Sequence, residues 1–524
     1  MNHINIGVST LTAAIRLCLA TLAASVAATG VAAAAAPDTT RVIVAFKPGA
    51  AAQVKAAVDA ARGRVKLDIA GMNAIAIEVP AIALRGLRNI PNVEFVEEDV
   101  KRYPLALATP SKKPYLSGQL VPYGIKMVQA DQLPDTFAAN RMVCIIDSGY
   151  DRAHEDLSGN SASGVYDAGT GWWYTDENHH GTHVAGTVAA INNSSTGVVG
   201  VAPNRQLKLH IVKVFGADGW AYSSTLAAAA NQCGAAGANV ISMSLGGARP
   251  SQIEIRAFAA LATKGVLSVA AAGNDGNSTI SYPAGYPSVV MVGALDENKA
   301  WADFSQFNSK VELAAPGVSV LSTVPTGGGA EAALTVGRTV YAPGTMDGSP
   351  KATASAPLAD FGLGDAINTA VAGKVCLIAR GMIDFATKVS NCQGSGGVGA
   401  VVYNNAPGGF SGTLGATVTS IPSVTASDTE GASMKGQLGQ LATVSVKPVN
   451  YAYYDGTSMA TPHVSAVAAL VWSYFPSCTA AQLRASLGKS AQDLGSSGRD
   501  ERYGYGLVQA KAAHDRIKTL GCGN

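Results

Sequence analysis

Four short segments carry residue types able to act together on an acyl group. The segment CIIDSGYDRAHEDL puts Asp147 at the end of an apolar run, and HHGTHVAGTVAAI puts His180 where a helix is predicted to start. In VLSVAAAGNDG, Asn274 follows a second apolar run. In GTSMATPHVSAVAALVW, Ser458 opens a long apolar helix, with Pro462 in the first turn, where a missing N–H is harmless. A buried carboxylate can hold an imidazole in one tautomer, the imidazole can take a hydroxyl proton, and the hydroxyl oxygen can then attack a carbonyl carbon. The Asn274 amide and the Ser458 backbone N–H would supply two donors to the resulting oxyanion, helped by the positive end of the helix.

Taken singly, these residues have ordinary structural meanings. Asp147 would cap a turn, His180 would be a surface polar residue, and Ser458 would be an N-cap. The combination points to chemistry, because the four occur in the order Asp, His, Asn, Ser, each at an element end. That order excludes the α/β-hydrolase arrangement, in which serine precedes its partners, and GTSMA is not a G-x-S-x-G elbow.

The elements needed to position these residues are legible. Between about Gln119 and Pro325, strands (MVCIID, LHIVKVF, VISMSL, VLSVAAAG, VVMVGAL) alternate with helices predicted to begin near His180, Ser223 and Ser251. Continuous apolar strands indicate a parallel sheet covered on both faces, a doubly wound α/β unit with its site at the carboxyl ends of the strands. Before it, roughly Thr39–Tyr103 reads as β-α-β-β-α-β, a small sheet with two helices on one face. Pro104–Gly118 reads as a linker. From about Thr326 to Tyr451, Gly, Ala, Ser and Thr dominate, with short strands and few helices expected. This portion reads as an insertion, after which the α/β pattern resumes with the helix at Ser458.

The chain has 524 residues, of which 48% are hydrophobic and 14% charged, so roughly two to four well-packed units are expected. Its 38 basic residues balance 36 acidic ones without a basic run, which excludes a nucleic-acid stripe. Arg16, the apolar stretch from Leu17 to about Val31, and Ala34–Ala36 before Pro37 read as a secretory signal peptide over residues 1–36. No other stretch is long and apolar enough to span a membrane, so no membrane association is expected after signal cleavage, and the protein is expected to be secreted. Of the 7 cysteines, Cys18 falls in the signal; Cys144, Cys233, Cys376, Cys392, Cys478 and Cys522 remain. An even number in an exported chain favours disulfides, with the pairing left open by sequence alone. Zinc-site spacing is absent.

The motifs DSG, HGTHVAGT, AAGN and GTSMATPHV together resemble the subtilase family, in its subtilisin and proteinase K-like branches. The resemblance covers nearly all of Gln119–Pro325 and Asp455–Gly506. It implies a serine endopeptidase of subtilisin-like α/β fold, with Asp147, His180, Asn274 and Ser458 in the roles above. It also implies that His180, not His179, is the reactive histidine, and that His183 and His463 are structural. By the same resemblance Ser244, Leu245, Gly246 and Gly247 form one wall of the pocket for the residue before the cleaved bond (P1), and Ala271, Ala272 and Gly273 the other. Gly219, Trp220 and Ala221 form an edge strand that pairs with extended substrate. The matched walls carry no acidic residue, so a broad, mainly apolar P1 preference is expected. Gln119, Asp156 and Asn193, with carbonyls of Ile191, Thr196 and Val198, resemble the family's tight calcium site, so structural Ca²⁺ is the expected cofactor.

The resemblance further implies an α+β propeptide over residues 37–108, recognisable in VIVAFK, NAIAIEVP and VEFVEED. It would act as folding chaperone and temporary inhibitor, its tail in the cleft, with self-cleavage somewhere in Pro104–Gly118. GKVCLIARGMIDFATKVSNCQGSGGVGAVVYNN resembles a protease-associated (PA) domain, a mostly-β insertion over residues 326–450 that splits the catalytic domain into 109–325 and 451–524. Its Cys376 and Cys392 are candidates for one disulfide, Cys144 and Cys233 pair by analogy with proteinase K-like enzymes, and Cys478 is left with Cys522. The expected partners are protein and peptide substrates and the chain's own propeptide; by family default the mature enzyme is a monomer. Two other functions remain open from sequence: a catalytically dead binding protein displaying the insertion, and a non-peptidase acyl hydrolase.

Overall fold

The computed structural model describes residues 38–105, 107–108, 118–410, 412–415 and 417–524. The expected signal peptide with its A-x-A site, and most of the linker, lie outside the described residues.

A seven-stranded parallel sheet forms the centre of the molecule. Its order is Val311–Pro316, Val289–Leu295, Leu267–Ala271, Val240–Met243, Met142–Asp147, Lys208–Lys213 and Ser161–Gly164. Strand residues alternate between two cores. Val143, Ile145 and Val269 pack with the helices His180–Ala189 and Thr457–Tyr474 on one face. Cys144, Ile146 and Ile241 pack with Ser223–Ala235 and Gln252–Thr263 on the other. Burial on both faces explains why these strands read as unbroken apolar runs. The helices start within a residue of the expected positions.

The N-terminal unit is a four-stranded antiparallel sheet in the order Arg64–Asp68, Ala74–Pro80, Thr39–Phe46, Val93–Glu98. Helices Ala51–Ala60 and Leu84–Arg88 cover one face through Val54, Val58 and Leu87. The other face seats Ile43, Ala45, Ile69 and Ala74 against Ala227, Ala228, Ile253 and Ala257 of the two outer helices of the α/β unit. Electrostatics reinforces this contact. Glu97 accepts hydrogen bonds from the Gln252 and Ile253 amides at 2.7 and 2.9 Å. Asp99 accepts from the Ser224 amide at 2.9 Å. Both outer helices therefore meet a carboxylate of the small unit at their positive ends.

The insertion leaves after the strand Val320–Thr323 and returns in Tyr451–Asp455, which pair antiparallel with Thr323 opposite Tyr451. Its two ends are thus side by side, a geometry that lets a domain be inserted without disturbing its host. It builds a nine-stranded sheet around Gly329–Val336, Thr353–Asp360 and Leu441–Val449, with helices Phe385–Gly394 and Asp428–Lys435. These three strands are longer than the texture of the segment implied. Small residues weaken the hydrophobic signal, whereas the ladder is made by backbone groups that every residue carries.

Three disulfides join Cys144 to Cys233, Cys376 to Cys392, and Cys478 to Cys522, with Cα–Cα separations of 5.7, 6.3 and 5.7 Å. Among the described residues, no helix is long and apolar enough to cross a membrane.

Candidate active site

The candidate catalytic side chains stand at the carboxyl ends of the parallel strands, where a doubly wound sheet places its site. Asp147 ends its strand and is wholly buried; its Oδ1 lies 2.7 Å from His180 Nδ1 and accepts the Ser148 amide at 2.7 Å. His179 enters the helix in the left-handed conformation (φ 72°) and faces the glycine turn at Gly328. Of the two adjacent histidines, His180 is the one paired with the aspartate. The helix it opens is capped by Asp176, which accepts from the Thr182 amide at 2.8 Å and the His179 amide at 2.9 Å. Sequence reasoning missed Asp176; a carboxylate a few residues before a helix start was the available signal.

Gly456 precedes the nucleophile's helix with φ 149° and ψ 155°, a conformation reserved for glycine. It turns Ser458 into the first helical turn, where Ser458 N–H donates to the carbonyl oxygen of Leu105 at 3.3 Å. Asn274 Nδ2 donates to the same oxygen at 2.6 Å. The Asn274 amide has one orientation open to it, because its Oδ1 accepts from the Thr457 amide at 2.9 Å and the Thr457 hydroxyl at 2.8 Å. Two donors therefore converge on one acyl oxygen, as stabilisation of a tetrahedral oxyanion requires. Ser458 Oγ donates to Ser244 O at 2.8 Å and accepts from the Leu105 amide at 3.1 Å, while His180 Nε2 has no hydrogen-bond partner.

The structural histidines are as expected. His183 Nε2 contacts the carbonyls of Val320 and Ala452, each at 3.1 Å, and His463 Nδ1 contacts Met459 O at 2.8 Å. Burial pushes them down to about 3 and about 4 respectively, so both are neutral at pH 7.

The tail of the small unit runs through the cleft. Lys101–Pro104 is the middle strand of a three-stranded sheet, antiparallel to Ala221–Tyr222 on one side and Leu245–Gly246 on the other. Beyond Leu105, residues 107–108 pair with Tyr454 and Asp455. Pro104 and residues 107–108, expected to begin a linker, are thus strand residues, on two separate short ladders of the α/β unit.

One expectation is corrected. The edge strand pairs through Ala221 and Tyr222, so Gly219 and Trp220 precede the ladder. Trp220 instead lies beneath the Lys101 ammonium, 3.9 Å from ring centre to nitrogen. Of the two P1 walls, Gly246 and Gly247 line the groove, Leu245 pairs with the tail strand and Ser244 O faces Leu105. In the second wall Ala271 and Ala272 are wholly buried, and Gly273 holds the backbone before Asn274. Asp275, Ser281 and Gln306 also line the groove, Ser281 beside Gly246 and Gln306 beside Gly273. Asp275 is exposed, and its carboxylate on the rim means that the groove is not free of acidic groups.

The expected calcium ligands are gathered. Gln119 Nε2 donates to Ile191 O at 2.8 Å and Val198 O at 3.4 Å; Asn193 Nδ2 donates to Asp156 Oδ1 at 2.7 Å. Thr196 joins through its amide, 2.9 Å from Asn193 Oδ1. The set offers one carboxylate, two side-chain amides and converging carbonyls. The oxygens available from these residues are of the kind a hard cation takes. Among the described residues, no cluster of three or more His, Cys, Asp or Glu offers an alternative metal site.

Comparison with known protein families matches residues 139–359 and 389–506 to the subtilase family, and residues 335–434 to the PA domain. Subtilisin DY of Bacillus licheniformis is 44% identical over 214 residues, 40% of this chain and 76% of that protein. Subtilisin NAT of Bacillus subtilis subsp. natto is 35% identical over 297 residues, 55% of this chain and 74% of that protein. Among solved structures, the psychrophilic subtilisin-like protease Apa1 of Pseudoalteromonas sp. AS-11 superposes with a TM-score of 0.57 at 42% identity, over 78% of this chain and all (100%) of Apa1. Fervidolysin of Fervidobacterium pennivorans superposes with a TM-score of 0.59 at 24% identity, over 91% of this chain and 61% of its own, a likeness of fold.

Proposed function

Because the chain belongs to the subtilase family of serine endopeptidases, we propose that it is made as a secreted, self-processing zymogen and that its first substrate is its own Leu105–Ala106 bond. One observation carries this reading: the Leu105 carbonyl oxygen already accepts from both Asn274 Nδ2 and Ser458 N. In the reaction, Ser458 Oγ turns to His180, gives its proton to Nε2 and attacks the Leu105 carbonyl carbon. Asp147 holds the imidazole through Nδ1 and stabilises the imidazolium. The oxyanion collapses as His180 passes the proton to the Ala106 nitrogen; the C–N bond breaks, leaving an acyl-enzyme that water hydrolyses by the same proton relay. Until it is removed, the small unit inhibits by filling the cleft with an extended strand.

Other substrates bind in the same place. The leucine at P1, the glycines of the wall and the neutral Ser281 and Gln306 support a broad, mainly apolar P1 preference, with the Asp275 carboxylate exposed at the rim. Gln119, Asp156 and Asn193, with carbonyls of Ile191, Thr196 and Val198, would hold Ca²⁺, which supplies a structural brace between the segment at Gln119 and the loop at Asn193. The mature enzyme is proposed to act as a monomer.

The test is expression of wild type beside Ser458→Ala, with casein hydrolysis and the mass of the released N-terminal fragment as readouts. Wild type is expected to digest casein and release a fragment ending at Leu105, and Ser458→Ala to stay whole and inert. Equal processing of both proteins, or a fragment ending elsewhere, overturns the self-cleavage reading.

A further inference from the structure

Three residues before Leu105, on the tail strand, the Arg102 side chain turns into the α/β unit and is only 1% exposed. Its Nε and Nη2 donate to the two carboxylate oxygens of Glu254 at 2.9 and 2.7 Å, a planar two-pronged pair. Glu254 is 0% exposed and sits in the first turn of the helix Gln252–Thr263. Its Oε2 also accepts from the Tyr286 hydroxyl at 2.7 Å, and that hydroxyl is fixed by the Ser251 amide at 2.9 Å. Gly247 borders the pocket, where a Cβ would fall 3.1 Å from Arg102 Nη1. Arg102 Nη1 donates to Lys101 O at 3.1 Å, so the guanidinium is held on three of its nitrogens.

When the tail departs, Glu254 stays, because it belongs to the α/β unit. A substrate occupying the same cleft then covers the carboxylate again. A substrate with an alkyl side chain at that position buries the charge with no cation, which is strongly unfavourable; a guanidinium restores the pair. A lysine reaches the site as a single point charge and cannot match the two oxygens at once. We infer that Glu254, steadied by Tyr286, makes the mature enzyme select arginine at the fourth residue before the cleaved bond (P4). The preferred substrate class is therefore an extended peptide of the form Arg-Xaa-Xaa-apolar. This inference rests on the reading that Lys101–Leu105 lies in the cleft as substrate does.

The experiment uses mature wild-type enzyme and four peptides, Xaa-Tyr-Pro-Leu followed by a fluorogenic leaving group, with Arg, Lys, Ala or Glu as Xaa. Arg is expected to exceed Ala in kcat/KM by about 10- to 100-fold, with Lys between them and Glu lowest. Glu254→Gln is expected to bring the Arg and Ala peptides to within a few-fold of each other; a ratio that persists in this variant overturns the assignment to Glu254. The wild-type series decides by itself, whether or not Glu254→Gln matures. Equal rates for Arg and Ala overturn the inference and leave Glu254 as the cap of its own helix, which the Ser251-to-Glu254 spacing suits. The mass of the released fragment separates the two readings. A flat peptide series with a fragment ending at Leu105 overturns only the P4 selection; a strong Arg preference with a different fragment overturns only the maturation site.

Discussion

The two ends of the tail segment from Arg102 to Leu105 are held by different physics. At Leu105 the contacts are made largely by backbone and neutral groups: the Ser458 amide, the Ser244 carbonyl, the Asn274 amide and the glycine wall at Gly246. At Arg102 the decisive contact is one buried charge pair, closed by a tyrosine hydroxyl. Groups of the first kind read what every peptide has, so they favour turnover with little discrimination. The second kind penalises any substrate that leaves the carboxylate unpaired, and a site built to pair a polar group discriminates far more than an apolar pocket does. On the readings proposed above, one cleft combines a permissive P1 with a demanding P4.

That contrast is open to direct attack. The largest effect is expected from Asn274→Ala, which removes a donor to the oxyanion. Its kcat/KM should fall on the order of 10²–10³-fold, the size of loss recorded for the side-chain donor of subtilisin itself, a relative of this chain. The loss should be the same for the Arg and Ala peptides, since the two ends are separate; a changed Arg/Ala ratio would show that they are coupled. Next in size is Gly246→Val. A Cβ there would lie 2.9 Å from Leu105 Cδ1, so P1 preference should move from leucine to alanine by about tenfold or more, as read from two peptides differing only at P1. Preference left unchanged would mean that the leucine side chain does not use this wall. The smallest effect belongs to Trp220→Ala. Losing the aromatic face under Lys101 should cost about 0.5–1 kcal/mol, a two- to fivefold drop in kcat/KM confined to peptides with a basic residue before the arginine. A uniform drop for all peptides would instead make Trp220 part of the backbone frame.

Much of this was legible in the residues, and the exceptions have a common cause. Asp147, His180, Asn274 and Ser458 announce themselves because each sits at an element end that local pattern predicts. Glu254 does not. Three residues after Ser251 at a helix start, it has the spacing of a capping acid, and only the docking of a distant strand shows that it faces an arginine 152 positions away. Tyr222 was missed by one step of register, which local composition does not fix on an edge strand. Near the second expected P1 wall, Ala271 and Ala272 continue a buried strand, and local pattern did not show that Asp275, Ser281 and Gln306 line the groove from loops. Sequence distance hides such contacts.

By itself the sequence determined the class of fold, the four candidate catalytic positions and the presence of a small N-terminal unit and an insertion. All of these follow from periodicities and motifs contained in short stretches of chain. Only the tertiary structure decided which peptide bond lies under the Asn274 and Ser458 donors, and that a buried carboxylate waits three residues upstream of it. Those facts depend on where the tail strand comes to rest between two edges of the α/β unit. Its register is set jointly by the backbone ladder, the caps at Glu97 and Asp99 and the Arg102–Glu254 pair, none of which exists until distant segments meet.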